Sequence, residues 1–226
     1  MATSAITMLP GSETLQPHVE NSIPYYTFHR LSQFLELEHL VLTRLGGVSS
    51  PPFASLNVSY DTGDEASKVQ ENMRRVRAAT DCSSLIYARQ NHSSNIVVLR
   101  EHPRFDPTIP YPLHGKDGFI TQLSGLLMMI KVADCQAILL YDPEKKVVAI
   151  IHAGWRGSAK NIAGTAVHLM QAHFSCDPQD IFAGIGPSLG PCCGEFRNWR
   201  QELPPRFSRF QVQKNHFDFW AISQYQ

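Results

Sequence analysis

The sequence predicts an α/β protein, a single domain in which a mixed β-sheet is flanked by helices, with a metal site where strands end. Two short, continuous apolar runs, residues 126–133 and 147–151, are typical of buried strands. Each run leads directly to a metal-capable side chain, Cys135 after the first and His152 after the second. Because α/β proteins place their chemistry just beyond strand ends, we expect the thiol and the imidazole to share one site.

The length of the chain favours one domain. A chain of 226 residues can bury one sizeable core, and no change of composition marks a domain boundary. Residues 1–19 mix Ser, Thr, Pro and Gly without periodicity, which predicts a flexible N-terminus. Residues 20–226 are predicted to form a single catalytic domain.

Composition argues against several classes of function. The formal net charge of 0 gives no general attraction for nucleic acid or for an anionic membrane. No apolar run is long enough to cross a bilayer, and the N-terminus lacks the basic start and apolar core of a secretory signal, so a cytosolic location is expected. Five cysteines, an odd number, favour free thiols, which leaves Cys135 available as a ligand.

The first third of the chain predicts a strand, a loop and a helix. Residues 38–44 form the predicted strand, which places Arg44 at its end beside the glycines of the turn-rich loop 45–52. Residues 65–79 carry acidic side chains early, arginines late and one apolar face. This pattern predicts an amphipathic helix with Asp64 or a neighbour as its N-cap.

Two further strands, residues 85–90 and 95–100, are predicted to be neighbours in the sheet. The first of them leads into His92, a third metal-capable residue at the end of a strand. Residues 101–115 contain four prolines and are therefore predicted to be a loop.

A hairpin and a helix follow. Strand 137–141, a turn at 142–145 and the strand that begins at residue 147 form the predicted hairpin, which brings two of the candidate ligands close together. Apolar residues recur at helical spacing over residues 158–174, so a helix is predicted directly after the second ligand. A last strand is predicted within residues 181–187.

His92, Cys135 and His152 together supply the three protein ligands of a catalytic zinc, which leaves a fourth position for water or substrate. Their spacing is long and irregular, so the sequence alone does not force them together. Each residue also has an ordinary structural explanation, because cysteine is often buried and a histidine at a strand end can simply bond a loop. The adjacent pair Cys192 and Cys193 is predicted to be structural.

Several segments resemble, in order and context, the laccase-domain family. They are Thr-Arg-Leu-Gly-Gly-Val-Ser at 43–49, Ser-Leu-Asn at 55–57, Arg-Gln-Asn-His at 89–92, Ala-Asp-Cys-Gln at 133–136, Ile-His-Ala-Gly-Trp-Arg-Gly at 151–157, and the segment from Gly184 to Cys193. The resemblance extends over roughly residues 43–220, and the His-Ala-Gly-Trp-Arg-Gly segment is quite specific.

The resemblance implies a chemistry. The family, formerly described as polyphenol oxidase, is associated with phosphorolysis of adenosine, inosine, guanosine and methylthioadenosine and with deamination of adenosine. In that family a His, a Cys and a His bind zinc, and these positions correspond to His92, Cys135 and His152. Purine nucleosides and phosphate are the implied partners, and the protein is expected to be a monomer or a homodimer.

The sequence departs from the family pattern at two places. The usual Gln-Val-His-Gly is here Gln-Asn-His-Ser at 90–93, a change beside a ligand that is expected to alter packing rather than coordination. Family members also continue past the segment resembling residues 216–220 with Cys-Thr and Ser-Tyr-Arg-Arg sequences, whereas this sequence ends at Gln226. We therefore expect a domain that is short at its C-terminus and lacks a closing strand and part of the pocket.

Further residues are candidates for binding and proton transfer. Arg44 and Arg156, near glycine-rich turns, suit phosphate, although each could also be an ordinary surface or ion-pair residue. Asp134, beside the cysteine ligand, is a candidate to orient a ligand or transfer a proton, or it caps a turn. Asn57 and Gln90 are candidates to bond the base or ribose, although asparagine also commonly caps backbone turns.

Two alternatives to a zinc nucleoside enzyme stay open. Divalent copper competes well at nitrogen and sulfur sites, so mis-metallation could produce a phenol oxidase. Against a multicopper laccase, the ten histidines include no His-x-His pair. The second alternative is a zinc-stabilised domain that binds a partner without catalysis, in which removal of the metal would unfold the protein.

Overall fold

The structure is a computed structural model, and it describes residues 15–80, 84–103 and 113–226. The chain divides into two compact units, Met1–Thr80 and Asp81–Gln226, which are described separately. The strands and helices, in chain order, are β1 (Leu15–Glu20), β2 (Ile23–Phe28), β3 (Val41–Leu42), α1 (Ala66–Ala78), β4 (Ser84–Arg89), β5 (Ile96–Leu99), β6 (Leu113–His114), β7 (Gly118–Thr121), β8 (Leu126–Met129), β9 (Gln136–Asp142), β10 (Val147–Ala153), α2 (Trp155–Ala159), α3 (Ile162–Phe174), β11 (Phe182–Ile185), α4 (Trp199–Glu202), β12 (Gln211–Gln213), β13 (His216–Phe217) and α5 (Phe219–Tyr225).

The first unit contains an antiparallel sheet in the order β1-β2-β3 and the helix α1. The predicted helix is confirmed, with Val69, Met73 and Val76 buried along one face. Its N-cap is Glu65 and has no side-chain cap bond, while the Asp64 carboxylate accepts from the Glu65 backbone N–H at 2.9 Å. The N-cap is therefore the neighbour of Asp64, as the prediction of Asp64 or a neighbour allowed.

The predictions at the start of the chain are only partly covered by the described residues. Strand β1 includes residues 15–19, the last part of the segment predicted to be flexible, while residues 1–14 lie outside the described ranges. The strand predicted over 38–44 is shortened to β3, Val41–Leu42, which pairs with Tyr25 and Tyr26 of β2.

The second unit is built around a five-stranded sheet in the order β11-β9-β10-β7-β5. All neighbours are antiparallel except β5 and β7. The predicted hairpin is confirmed as β9 and β10, with Val147 paired to Asp142 across the turn. Because β9 and β10 lie in the middle of the sheet, their ends form a rigid support for whatever follows them.

Each face of the five-stranded sheet is covered by a different layer. On one face Ile120 and Ile151 belong to a core cluster with Ile162, Ala166 and Met170 of α3. On the other face Phe119 packs with a second cluster contributed largely by β4 and β8. Strands β6, β4 and β8 form a separate three-stranded parallel sheet on that side.

The predicted α/β class is confirmed, with its strands distributed over several sheets. The prediction that 95–100 neighbours 85–90 is wrong, because β5 pairs with β7 and not with β4. The reason is two-sided burial: Ile96 and Val98 of β5 pack on the core that contains α3, whereas Val97 and Leu99 pack on the core that contains β4.

Two predicted elements are interrupted. The strand predicted over 126–133 ends at Met129, because the side chain of Gln90 hydrogen-bonds both the backbone N–H and the C=O of Lys131, which are then not free to pair with another strand. The helix predicted over 158–174 is broken into α2 and α3 by Asn161, whose backbone is left-handed with φ of 61°. Strand β11, Phe182–Ile185, lies within the predicted 181–187.

The C-terminal part of the second unit forms an aromatic cluster. Leu203, Phe207, Phe217 and Ile222 are its buried centre, and Trp155 at the start of α2 packs against it.

Cys135, Cys176, Cys192 and Cys193 are all free thiols, as predicted, while Cys82 lies outside the described residues. None of the described helices is long and apolar enough to cross a membrane.

Candidate metal centre

Three predicted ligands converge in the second unit. The ligand atoms of His92, Cys135 and His152 all lie within 4.8 Å of one another, and the two imidazole ring centres are 4.8 Å apart. Within residues 15–80, 84–103 and 113–226, this is the one group of three or more His, Cys, Asp or Glu residues that could hold a metal ion. His152 is buried, Cys135 is half-buried and His92 is exposed, so the site opens to one side.

Strand pairing brings the thiol and the buried imidazole together. Cys135 immediately precedes β9, and His152 is the penultimate residue of β10. In the antiparallel register His152 lies opposite Ala137, and Ala153 lies opposite Gln136. The same end of the hairpin therefore presents both ligands.

His92 comes from a loop rather than from a strand end. Strand β4 ends at Arg89, and the backbone of His92 is left-handed, with φ of 58°. This conformation is uncommon for a residue with a side chain, so the surrounding contacts must stabilise it. The backbone N–H of His92 donates to Asp117 Oδ1 at 3.0 Å.

Asp117 is a functional candidate that the sequence analysis missed. Its carboxylate is fully buried and accepts from His152 Nδ1 at 2.8 Å, and its other oxygen accepts from the N–H and the hydroxyl of Ser93, both at 2.7 Å. Burial acts to raise the pKa of Asp117, but the bonds from His152 and Ser93 outweigh burial and lower the pKa to about 2. An aspartate before a short strand gives no local signal of this role.

The two histidines have opposite pKa shifts. Burial acts to lower the pKa of His152, but its bonds to Asp117 and Cys135 prevail and raise the pKa to about 9. For His92, the neighbouring protein atoms displace part of the water around the ring and lower its pKa, His152 and Arg156 add to that effect, and Asp117 opposes it. Because a metal binds the neutral imidazole, protonation competes with metal binding more strongly at His152 than at His92.

Gly154 is a second residue whose role the sequence did not reveal. A Cβ at this position would lie 2.8 Å from Cδ2 of His92 and 3.2 Å from Sγ of Cys135. The absence of a side chain thus leaves room for two ligands to approach. The sequence shows a glycine in the His-Ala-Gly-Trp-Arg-Gly segment, but only the structure shows that it lies next to His92 and Cys135.

Gln90 lies two residues before His92, and its amide is used within the chain. Its Oε1 accepts from the Lys131 N–H and its Nε2 donates to the Lys131 C=O, both at 2.8 Å. This clamp ties the loop that leads to His92 to the segment that leads to Cys135. The structure therefore favours a positioning role over the predicted bond to base or ribose.

Arg156 and Asp134 are both exposed, and Asp134 directly precedes Cys135 in the sequence. The guanidinium of Arg156 stacks on the ring of Trp155 at 4.2 Å, and its charge is close enough to lower the pKa of His92. The side chain of Asp134 is exposed, and its backbone C=O accepts from the Leu189 N–H at 2.9 Å.

Arg44 and Asn57 belong to the first unit, where intramolecular bonds occupy them. Nε and Nη2 of Arg44 donate to the C=O of Ala54. Asn57 Nδ2 donates to the Ser59 C=O and to the side chains of Thr62 and Asp64, and its Oδ1 accepts from the Ser59 N–H. Binding of phosphate or nucleoside by these two residues stays a prediction.

Comparison with known proteins gives consistent matches. A model of the family described as multi-copper polyphenol oxidoreductase laccase matches residues 38–226. A purine nucleoside phosphorylase of Bacteroides thetaiotaomicron is 30% identical over 212 residues, covering 88% of this chain and 78% of that protein. Purine nucleoside phosphorylase YlmD of Geobacillus stearothermophilus is 36% identical over 159 residues, which cover 67% of this chain but only 57% of that protein's length.

Solved structures show the same fold. The crystal structure of YlmD from Geobacillus stearothermophilus matches with a TM-score of 0.79 and 28% identity, over 93% of this chain and 82% of that chain. The hypothetical protein YfiH of Bacillus licheniformis matches with a TM-score of 0.77 and 25% identity, over 89% of this chain and 79% of that chain.

Proposed function

This chain belongs to the laccase-like family of polyphenol oxidoreductases, and we propose that within this family it is a zinc-dependent purine nucleoside enzyme. Its proposed reactions are phosphorolysis of adenosine, inosine, guanosine and methylthioadenosine, and hydrolytic deamination of adenosine. The names of the matched relatives, purine nucleoside phosphorylases, support the first activity. We also propose a cytosolic location, in keeping with the composition.

The observation that carries the proposal is the convergence of His92, Cys135 and His152 within 4.8 Å. Two imidazoles and a thiolate are a donor set that zinc accepts, and three protein ligands leave the fourth position open for chemistry. The residues present fit the ion in two further respects. Nδ1 of His152 is already bonded to Asp117, which directs Nε2 towards the site, and Gly154 leaves the space between His92 and Cys135 clear.

When bound, zinc supplies a Lewis acid at the open end of the cluster. Around it, Arg156 offers a fixed positive charge, because stacking on Trp155 orients its guanidinium. A phosphate held there would lie beside His92, whose pKa already responds to this arginine. Arg156 is therefore the phosphate-binding residue that we propose in the second unit.

The exposed carboxylate of Asp134 suits proton transfer in either reaction. In phosphorolysis, a phosphate oxygen bonds to the anomeric carbon as the bond to the purine nitrogen breaks, and the leaving base takes up a proton. In deamination, water replaces the amino group on the purine ring and ammonia leaves with the additional proton. Both reactions need a group that moves a proton near the bound base.

A copper phenol oxidase is the second candidate, and the description of the family favours it. Copper(II) would compete for the same nitrogen and sulfur ligands. However, the part of the chain that the structure describes holds one three-ligand cluster, whereas a multicopper centre needs several. We therefore propose copper activity only as a result of mis-metallation.

Metal analysis combined with parallel assays tests the proposal. Protein purified without added copper is expected to contain about one zinc per chain and to release hypoxanthine from inosine only when phosphate is present. Adenosine deamination is followed in the same samples by formation of inosine. Turnover of phenols by copper-loaded protein, with no turnover of any purine nucleoside by the zinc form, would overturn the proposal.

Chelation distinguishes the enzyme from a zinc-stabilised binding domain. Removal of a catalytic zinc is expected to abolish turnover and to leave the far-ultraviolet circular dichroism spectrum largely unchanged, because none of the three core clusters described for the second unit includes a ligand. Loss of the spectrum upon chelation, together with no turnover in the zinc form, would favour the binding domain.

A further inference from the structure

We propose that Asp117 is the positioning residue of the metal site, because its one carboxylate orients the ring of His152 and the backbone of His92 for metal binding. The inference rests on the proposed function only for its metal site, not for the reaction. It assigns a role to a residue that is not itself one of the three ligands.

The first step concerns the ring of His152. Asp117 Oδ1 lies 2.8 Å from Nδ1 of His152, and both side chains are buried. A carboxylate can only accept here, so Nδ1 carries a proton, and Nε2 is the nitrogen that offers a lone pair to a metal when the ring is neutral. The backbone pairs the same two residues, since the His152 N–H donates to the Asp117 C=O at 2.7 Å. The ring is therefore fixed in both position and tautomer.

The second step concerns His92. The oxygen that bonds His152 also accepts from the backbone N–H of His92 at 3.0 Å. Ser93, the next residue, donates its N–H and its hydroxyl to Oδ2, each at 2.7 Å. Three bonds thus hold the left-handed turn at His92, where φ is 58° and the conformation would otherwise be unfavourable.

The third step is that this carboxylate has no spare capacity. Four donors bond its two oxygens, and the residue is fully buried, so no solvent can replace any of them. Partners of this kind typically change metal affinity by about 10- to 100-fold when they are mutated. Asp117 differs from the usual case because it serves two ligands at once.

Asp117→Asn is the sharpest test, since it keeps the shape and removes one acceptor. In either orientation the amide NH₂ faces a backbone N–H, either that of Ser93 or that of His92. When the NH₂ points towards His152, that ring must accept at Nδ1 and place its proton on Nε2. Zinc affinity, measured by competition with a chelator of known affinity, is expected to fall by about 10- to 100-fold.

A matched control is Asp142→Asn. Asp142, the last residue of β9, is also fully buried, but its side chain bonds the Lys145 N–H and the Cys176 thiol rather than a candidate ligand. Its loss is expected to lower stability without changing zinc affinity. Ser93→Ala removes one of the four donors and is expected to have a smaller effect than Asp117→Asn.

A spectroscopic readout separates positioning from general destabilisation. In the zinc-loaded wild type, long-range nitrogen–proton correlations of the His152 ring are expected to show the proton on Nδ1 and the metal on Nε2. This measurement needs no variant, so it decides the question even if Asp117→Asn does not fold.

The inference is overturned by a proton on Nε2 of His152 in the zinc-loaded wild type, or by equal zinc affinity in Asp117→Asn and wild type. Weakened zinc binding in Asp117→Asn alone, with a wild type that turns over no nucleoside, would support this inference and contradict the proposed function. A wild type that binds no zinc would contradict both.

Discussion

Two groups of candidate binding residues, one in each unit, differ in what their polar atoms bond. The first cluster is Arg44 and Asn57, and the second cluster is His92, Cys135 and His152. In the first unit, Asn57 uses both ends of its amide on neighbouring loop residues, and Arg44 donates twice to one carbonyl. In the second unit, the ligand atoms of His92, Cys135 and His152 converge on one another. A polar group that the chain itself satisfies stabilises a loop, whereas donor atoms that converge can bind an ion.

The supporting residues of the two clusters show the same difference. The buried Asn72 donates to the Ser49 hydroxyl and to the backbone C=O of Ser55 and Asn57, so it stabilises the loop that contains Asn57. The buried Asp117 carboxylate only accepts hydrogen bonds, and by doing so it orients two candidate metal ligands, His92 and His152. The comparison predicts that mutations in the first cluster change stability and mutations in the second change metal binding.

The largest effect is expected for Cys135→Ser. A hydroxyl is a much poorer zinc ligand than a thiolate, so zinc affinity and nucleoside turnover should both fall by more than about 100-fold, beyond the range usual for outer partners. Metal content after dialysis and hypoxanthine release are the measurements. Cys193→Ser is the matched control, because Cys193 is an exposed free thiol outside the cluster. A Cys135→Ser protein that keeps its zinc would contradict the interpretation of the second cluster as a metal site.

Gly154→Ala is expected to have the next largest effect. The added methyl group would lie 2.8 Å from His92, so the ligands must move apart, and zinc affinity should fall by roughly 10-fold or more. Gly186→Ala is the control, because its Cβ would approach only Ala137, at 3.3 Å or more. Equal zinc affinity in the two variants would show that the close approach at Gly154 does not matter.

Asn72→Ala tests the first cluster. The substitution leaves the Val48 N–H without its acceptor and three acceptors without their shared donor, which should lower the free energy of unfolding by about 3 kcal/mol. Urea denaturation measures the change. A variant as stable as the wild type would contradict the interpretation of this cluster as a structural one.

The smallest effect is expected from Glu71, on the surface of α1. Bonds from Arg74 and Arg75 lower the pKa of its carboxyl from 4.5 to about 2. The stabilisation is therefore fully present above pH 4.5 and is lost as the pH falls towards 2, because protonation then breaks the ion pairs. Glu71→Gln should narrow the difference in stability between pH 6 and pH 3 only slightly. Thermal unfolding at pH 6 and pH 3 measures the difference in stability. A wider difference in the variant than in the wild type would contradict a stabilising role for the ionised Glu71 carboxylate.

Much of the fold could be predicted because it is encoded locally. The alternation of apolar and turn residues identified the hairpin of β9 and β10, and helical periodicity identified α1. The interruptions could not be predicted in the same way. Strand β8 ends where Gln90, about forty residues earlier in the chain, takes the backbone of Lys131, and no local pattern records that contact.

The sequence by itself determined the chemical types at the site: two imidazoles and a thiol, each near the end of a predicted strand, and a glycine-rich segment after the last of them. Only the tertiary structure decided that Asp117 bonds His152 and the backbone of His92, and that Gly154 has to lack a side chain. The physical reason is range. Side-chain identity and periodicity act over a few neighbouring residues, whereas a buried carboxylate acquires its role from donors that the fold brings from 24 to 35 positions away.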